Sequence, residues 1–198
     1  MKWIKQLYDW VMHWAETPYG KVALFLLAFA ESSFFPIPPD VLLIALCIAV
    51  PKKSFKLALI CTVASVLGGI AGYFIGYFLW DLVGTYFFRF VPGFTPKVFE
   101  LVRQKYEAYS FLAVFTSGFT PIPYKVFTIS AGVFKINFSV FVVASIAGRA
   151  TRFLLLAGLI WKFGAQIKKF IDKYFNVLSI VFVLLLGLGF LVIKIFLH

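Results

Sequence analysis

The chain has 198 residues, 62% of them hydrophobic, and a mean hydropathy of +0.96. A soluble domain of this length has no interior large enough for so much apolar side chain, which excludes an ordinary globular fold and makes the bilayer the solvent. The formal net charge of +11 is divided among short clusters between apolar blocks; this is the pattern of loops beside anionic headgroups, not of a nucleic-acid-binding face.

Residues 1–16 place Trp3, Ile4, Leu7, Tyr8, Val11 and Trp14 at helical spacing among Lys2, Lys5 and Asp9. The spacing predicts an amphipathic helix over 1–18 that lies in the membrane interface, too polar to span it. It lacks the apolar core and small-residue site of a secretory signal. Thr17 and Pro18 then supply a helix start.

Phe29 to Asp40 reads FAESSFFPIPPD. Proline lacks an N–H, fixes φ and pushes its predecessor out of the helical region, so Pro36, Pro38 and Pro39 together break any helix here. The limbs on either side, Val22 to Phe35 and the run after Asp40, are each too short for a hydrocarbon core of about 30 Å. A re-entrant hairpin, entering and leaving on one face, fits both limbs, and its turn backbone then requires a wet or protein-lined cavity.

After Pro51-Lys52-Lys53, Phe55 to Trp80 is apolar enough to span. Ala64, Gly68, Gly72 and Gly76 fall four apart on it and form a stripe that admits a closely packed helix. Residues 81–109 are more polar, with Pro92, Gly93 and Pro96 in the middle, and Pro96 to Tyr109 has the alternation of a surface helix. Phe115 to Lys125 (FTSGFTPIPYK) then repeats the broken segment, with Pro121 and Pro123 at its core. Phe138 to Trp161 spans, 162–174 is basic and amphipathic, and Phe175 to Phe196 is a further spanning helix.

The repeat is visible residue by residue. Pro36-Ile37-Pro38 maps onto Pro121-Ile122-Pro123; Ala64, Ser65, Gly68 and Tyr73 map onto Ala144, Ser145, Gly148 and Phe153. A unit made of one hairpin and one crossing helix ends on the face opposite its start, so two consecutive units are inverted relative to each other. The expected fold is an all-α integral membrane protein, organised as 19–84 (first repeat), 85–109 (amphipathic connector), 110–164 (second repeat) and 165–198 (basic stretch and C-terminal span). Lysines such as Lys52, Lys53 and Lys56 outnumber the cations of the opposite loops and vote for a cytoplasmic N-terminus.

Charges within the apolar segments are the candidate functional groups, because each costs ~2.5–3.5 kcal/mol at mid-membrane unless paired or hydrated. Glu31 and Asp40 are candidates for transport and proton coupling; Lys125, Arg149 and Arg152 are candidates for binding a headgroup phosphate. Arg149 and Arg152, three apart, share a helix face, and a planar guanidinium grips phosphate bidentately. For each a structural reading stands beside the functional one. Glu31 neutralises an arginine as glue, Asp40 caps the helix after the prolines, and Lys125 snorkels.

Cys47 and Cys61 sit in apolar runs without metal-ligand spacing, and His13 and His198 stand alone. No cofactor motif, metal set or catalytic signature such as HExxH, GxSxG or a Walker loop is found, so the expectation is a non-enzyme without cofactor.

Glu31, the turn ending at Asp40, the stretch TPIPYKVFTISAG from Thr120 and the stretch GRATRF from Gly148 resemble the DedA family, also called the VTT or SNARE-associated Golgi protein family, in particular its short YqaA-like branch. The resemblance covers roughly Tyr19 to Lys162. It implies two facing re-entrant hairpins in a bacterial inner-membrane protein that moves phospholipids or undecaprenyl phosphate between leaflets, as a scramblase or proton-coupled carrier. Glu31 and Asp40 match the family's functional acidic pair. The family's arginine pair is absent: Gly118 stands at the first position and Tyr124-Lys125 at the second. The partners implied are membrane lipids and protons. The alternatives on the same scaffold are an ion-coupled small-solute carrier and a non-transporting assembly factor.

Overall fold

The computed structural model describes residues 18–35, 38–90, 95–120, 122–164 and 166. The amphipathic helix expected over 1–18, the basic stretch and span expected beyond 164, and Pro36 and Pro121 of the two turns all lie outside these residues, apart from the helix start at Pro18 and the lone residue at 166.

All regular structure among the described residues is helical. Helix α1 (Pro18–Ser33) leads into the proline break, α2 (Asp40–Ala49) follows it, and a single 3-10 turn (Pro51–Lys53) opens α3 (Ser54–Phe90). Helix α4 (Pro96–Ala108) is followed by α5 (Ser110–Phe119), the second break, α6 (Tyr124–Val133) and α7 (Phe138–Gly164). Helices α3 and α7 are long and apolar enough to cross a membrane.

The two long helices run antiparallel. Phe55 near the start of α3 meets Trp161 near the end of α7, with ring centroids 6.0 Å apart. Tyr73, farther along α3, meets Phe138 and Phe141 at the start of α7, at 5.3 and 5.1 Å. The core divides accordingly. One cluster joins Leu24 and Ala28 of α1, Leu43 and Leu46 of α2, Cys61 and Ala64 of α3, and Phe153 and Ala157 of α7. The other joins Val114 of α5, Tyr124 and Ala131 of α6, Tyr73 of α3, and Phe141 and Ala144 of α7. Each cluster therefore takes one broken helix pair and a different half of both long helices. Cys47 and Cys61 are free thiols inside the first, packing as small apolar side chains.

Glycines allow the helices this close approach. A Cβ on Gly68 of α3 would collide with the Phe29 carbonyl of α1; one on Gly132 of α6 would collide with the Tyr73 carbonyl of α3. Gly148 of α7 meets the Phe115 carbonyl of α5 in the same way, at 2.6 Å. The small-residue stripe of α3 thus serves two helices: α1 at Gly68, and α6 at Gly72 and Gly76, where Thr128 and Ile129 approach.

One boundary differs from expectation. Helix α3 continues past Trp80 to Phe90, because no helix-breaking residue occurs before Pro92-Gly93. The charge of Asp81 is held by Lys135 at 3.5 Å, and Trp80 folds over the isolated Gly84. Helix α4 forms where the surface helix over Pro96 to Tyr109 is expected, although 85–90 of the expected connector belong to α3: Thr95 caps α4 by accepting from the Val98 N–H at 3.2 Å, and Pro96 occupies its first turn. Its inner side is fixed by Phe99, stacked on Trp80 at 4.9 Å, and by Tyr106, which donates to the Phe127 carbonyl at 2.9 Å. Burial pushes the Tyr106 phenol above its ordinary pKa, so it keeps the proton it donates. Lys97, Glu100, Lys105 and Glu107 remain exposed.

Candidate functional site

The five intramembrane charges named from the sequence line one cavity of about 460 Å³, together with Pro38, Ile122 and Pro123. Proline chemistry creates the opening. With the helices broken at both turns, the end of α1, the start of α2 and the start of α6 converge on the middle of α7, and backbone carbonyls are left for side chains to satisfy.

Arg149 is the anchor. Its guanidinium, 2% exposed as a residue, donates to Glu31 at 2.9 Å and to the Ser32 hydroxyl at 3.1 Å. It also lies over the Tyr124 ring at 4.0 Å, with Phe153 at 5.6 Å. Ser32 extends the network, donating to Glu31 at 3.0 Å and sharing a 2.7 Å hydrogen bond with Ser65 of α3. A carboxylate in the last turn of a helix meets the negative end of the dipole, so Glu31 depends on this cation. Behind the pair, the Tyr124 hydroxyl, the Ser145 hydroxyl and Arg149 Nε are buried without a hydrogen-bond partner among the described residues.

One turn along α7, Arg152 grips Asp40 with two parallel bonds, Nε at 2.9 Å and Nη2 at 2.8 Å. Its remaining nitrogen donates to the Thr120 carbonyl at 2.6 Å, at the second break. Arg152 therefore ties both breaks to α7. This corrects the capping reading of Asp40. Pro39 holds the cap position of α2, no side chain caps that end, and Asp40 is the first helical residue, where a carboxylate is favoured by the dipole while its oxygens face the guanidinium.

Lys125 crosses between the two halves by donating to the Phe35 carbonyl at 3.0 Å, and makes no ion pair among the described residues. It shares the cavity with Glu31, whose partner is Arg149. The cavity thus holds two carboxylates and three cationic groups, which leaves one positive charge in excess. Among the described residues no cluster of His, Cys, Asp and Glu is arranged to hold a metal.

Sequence reasoning missed Ser32 and Tyr124. The signal for Ser32 was available, since ESS puts two hydroxyls directly after a carboxylate in an apolar run. Tyr124 stood out only as one of the two residues at the family's second arginine position, and its contact with Arg149 comes from facing α7 across the core.

Among the described residues all regular structure is helical, two helices are long and apolar enough to cross a membrane, and a charged cavity lies between broken segments; together with the family match that follows, these mark an integral membrane protein. Residues 37–162 match the VTT domain family model. An uncharacterized protein of Haemophilus influenzae is 40% identical over 176 residues, covering 87% of this chain and 90% of its own length. An uncharacterized protein of Histophilus somni is 37% identical over 176 residues, covering 87% and 91%. No solved structure matches the chain. This chain belongs to the VTT domain (DedA) family.

Proposed function

We propose that this protein carries a lipid with an anionic phosphate headgroup between the two leaflets of a bacterial inner membrane, through the cavity between its broken helices. The observation that carries this reading is the cavity's charge: three cations against two carboxylates, among apolar helices, leave a seat for one negative charge. A free anion of that size would gain the same seat, but an apolar protein surface around it favours a substrate that is itself amphiphilic.

In this reading α1–α2 and α5–α6 are re-entrant hairpins belonging to two inverted repeats. Support comes from the packing. Gly68 and Gly148, which correspond in the sequence, make corresponding approaches to α1 and α5; Ala64 and Ala144 are both fully buried, one in each core cluster. Lys125 is the cation open to a phosphate, Arg149 and Arg152 set the field, and Glu31 and Asp40 exchange their arginine partners for substrate or proton during transport. The lysine-rich side, Lys52 and Lys53, faces the cytoplasm.

A second reading has its own observation. Glu31–Arg149 and Asp40–Arg152 are ion pairs that each join two elements, as glue in an assembly factor would. Purified protein in liposomes containing fluorescent phospholipid, with dithionite to quench the outer leaflet, separates the two. Lipid movement is expected, and Glu31→Gln, which keeps size but leaves Arg149 uncompensated, is expected to slow it by about tenfold or more, i.e. at least ~1.4 kcal/mol in the barrier. Absence of protein-dependent movement would favour glue.

A further inference from the structure

A second cavity, about 350 Å³, adjoins the charged one and shares Asp40 and Arg152 with it. Beyond that pair its walls are apolar: Ile44 of α2, Phe119 of α5, and Leu155, Leu156 and Leu159 of α7. Leu155 and Leu159 are 53% and 54% exposed, and they lie one turn apart on the same face of α7. The groove therefore runs along the outer side of the bundle, with an ion pair at its head.

We propose that this groove seats an acyl chain of an anionic phospholipid whose headgroup occupies the charged cavity, so that the lipid straddles the Arg152–Asp40 pair. This rests on the lipid reading above. Two observations commit the groove to a chain of that lipid and not to general solvation by the bilayer. The groove is continuous with a cavity carrying one excess positive charge, which fits a phosphodiester monoanion. It is also a shallow cleft walled by three helices, whereas Leu59 and Val63 of α3, equally exposed at 55% and 54%, belong to neither cavity.

The geometry sets an order. At about 1.5 Å per residue, Leu155 stands ~4–5 Å and Leu159 ~10 Å along α7 from Arg152. A chain anchored by its phosphate meets Leu155 with its first carbons and Leu159 with later ones.

The test uses the full chain in phosphatidylcholine liposomes with about one mole per cent of phosphatidylglycerol carrying a diazirine in one chain. After illumination, labelled residues are mapped by mass spectrometry. At least fivefold more label is expected on Ile44, Leu155 and Leu159 than on Leu59 and Val63. A diazirine near the glycerol favours Leu155 and one at mid-chain favours Leu159, and excess unlabelled phosphatidylglycerol removes the enrichment. Leu155→Trp, which fills the groove, is expected to abolish label at Ile44 and leave Leu59 and Val63 unchanged. The control positions report insertion, and Leu159→Trp serves if that variant does not insert. Equal labelling of groove and control residues overturns the inference even where lipid transport is observed. Enriched labelling without transport overturns the transport reading and leaves the groove.

Discussion

Arg149 shows how one buried side chain can tie several elements together. Its Nη2 donates to both a carboxylate and a hydroxyl while the flat face of the guanidinium lies over the Tyr124 ring, a stacking that the compact ammonium of lysine does not reproduce. Arg149→Lys is expected to keep the protein inserted but to reduce lipid flux by tenfold or more, about 1.4 kcal/mol in the barrier, measured in the liposome assay. Removing the charge altogether is worse for the fold: Arg149→Ala strands Glu31 in an apolar setting, at a cost of about 3–5 kcal/mol. Asp40 is the complementary case. A cap would tolerate Asp40→Asn, but the carboxylate that receives two parallel bonds from Arg152 does not. Asp40→Asn raises the cavity's excess to two positive charges, and the expected outcome is tighter retention of anionic lipid with slower release. A binding assay showing stronger phosphatidylglycerol retention and a flux assay showing at least a severalfold loss would check it together. These five charges were legible in the sequence because a charge inside an apolar run is a local anomaly. Their pairing was not. Whether Glu31 meets Arg149 of α7 or Lys125 of α6 depends on how those two helices sit against α1, and nothing in the segments themselves encodes that placement.

At the scale of elements, the breaks could be read and the joints between helices only in part. Proline acts on its own neighbours, so the ends of α1 and α5 follow from the chain itself; α4 likewise declares its exposed face. The span over Phe55 to Trp80 follows from its apolar run, whereas the helix itself continues to Phe90, since nothing between Trp80 and Pro92 breaks it. The small-residue stripe announced close packing without naming its partners. Those partners now grade the glycines. At Gly132 the obstacles to a Cβ are backbone, the Tyr73 carbonyl and the Tyr77 nitrogen, whereas at Gly69 the obstacle is the Tyr124 side chain, its hydroxyl 2.7 Å away. Backbone between two packed helices cannot yield, so Gly132→Ala is expected to cost about 1–3 kcal/mol or more by overpacking. It should lower the melting midpoint in detergent well below that of Gly69→Ala. Gly69→Ala should instead leave stability nearly intact and impair transport, by pushing Tyr124 off Arg149. Equal melting losses would show that α3 and α6 can separate freely.

For the molecule as a whole, the decisive quantity is how many times the chain crosses. If α1–α2 and α5–α6 were ordinary spanning pairs, each unit would cross three times; as re-entrant pairs each unit crosses once. Both counts are odd, so loop orientation alone would not separate them, but the turns do. A spanning α1–α2 pair exposes its break on the face opposite Lys52, while a re-entrant pair keeps the break inside. Chain length argues for the second. Helix α2 has 10 residues, about 15 Å at 1.5 Å per residue, half of a hydrocarbon core. Single cysteines at Lys52, Phe34 and Lys135 test this in intact cells and inverted vesicles with a membrane-impermeant maleimide, the native Cys47 and Cys61 being buried and silent. Lys52 sits at the head of α3, and Lys135 lies beside Asp81 at the other end of its membrane-crossing stretch, so they are expected to label from opposite faces. Phe34, 67% exposed yet next to the break, is expected to resist labelling from both faces until the cavity opens to water. Strong labelling of Phe34→Cys from the same side as Lys135→Cys would make α1–α2 a spanning pair. The mid-membrane cavity would then open at a surface.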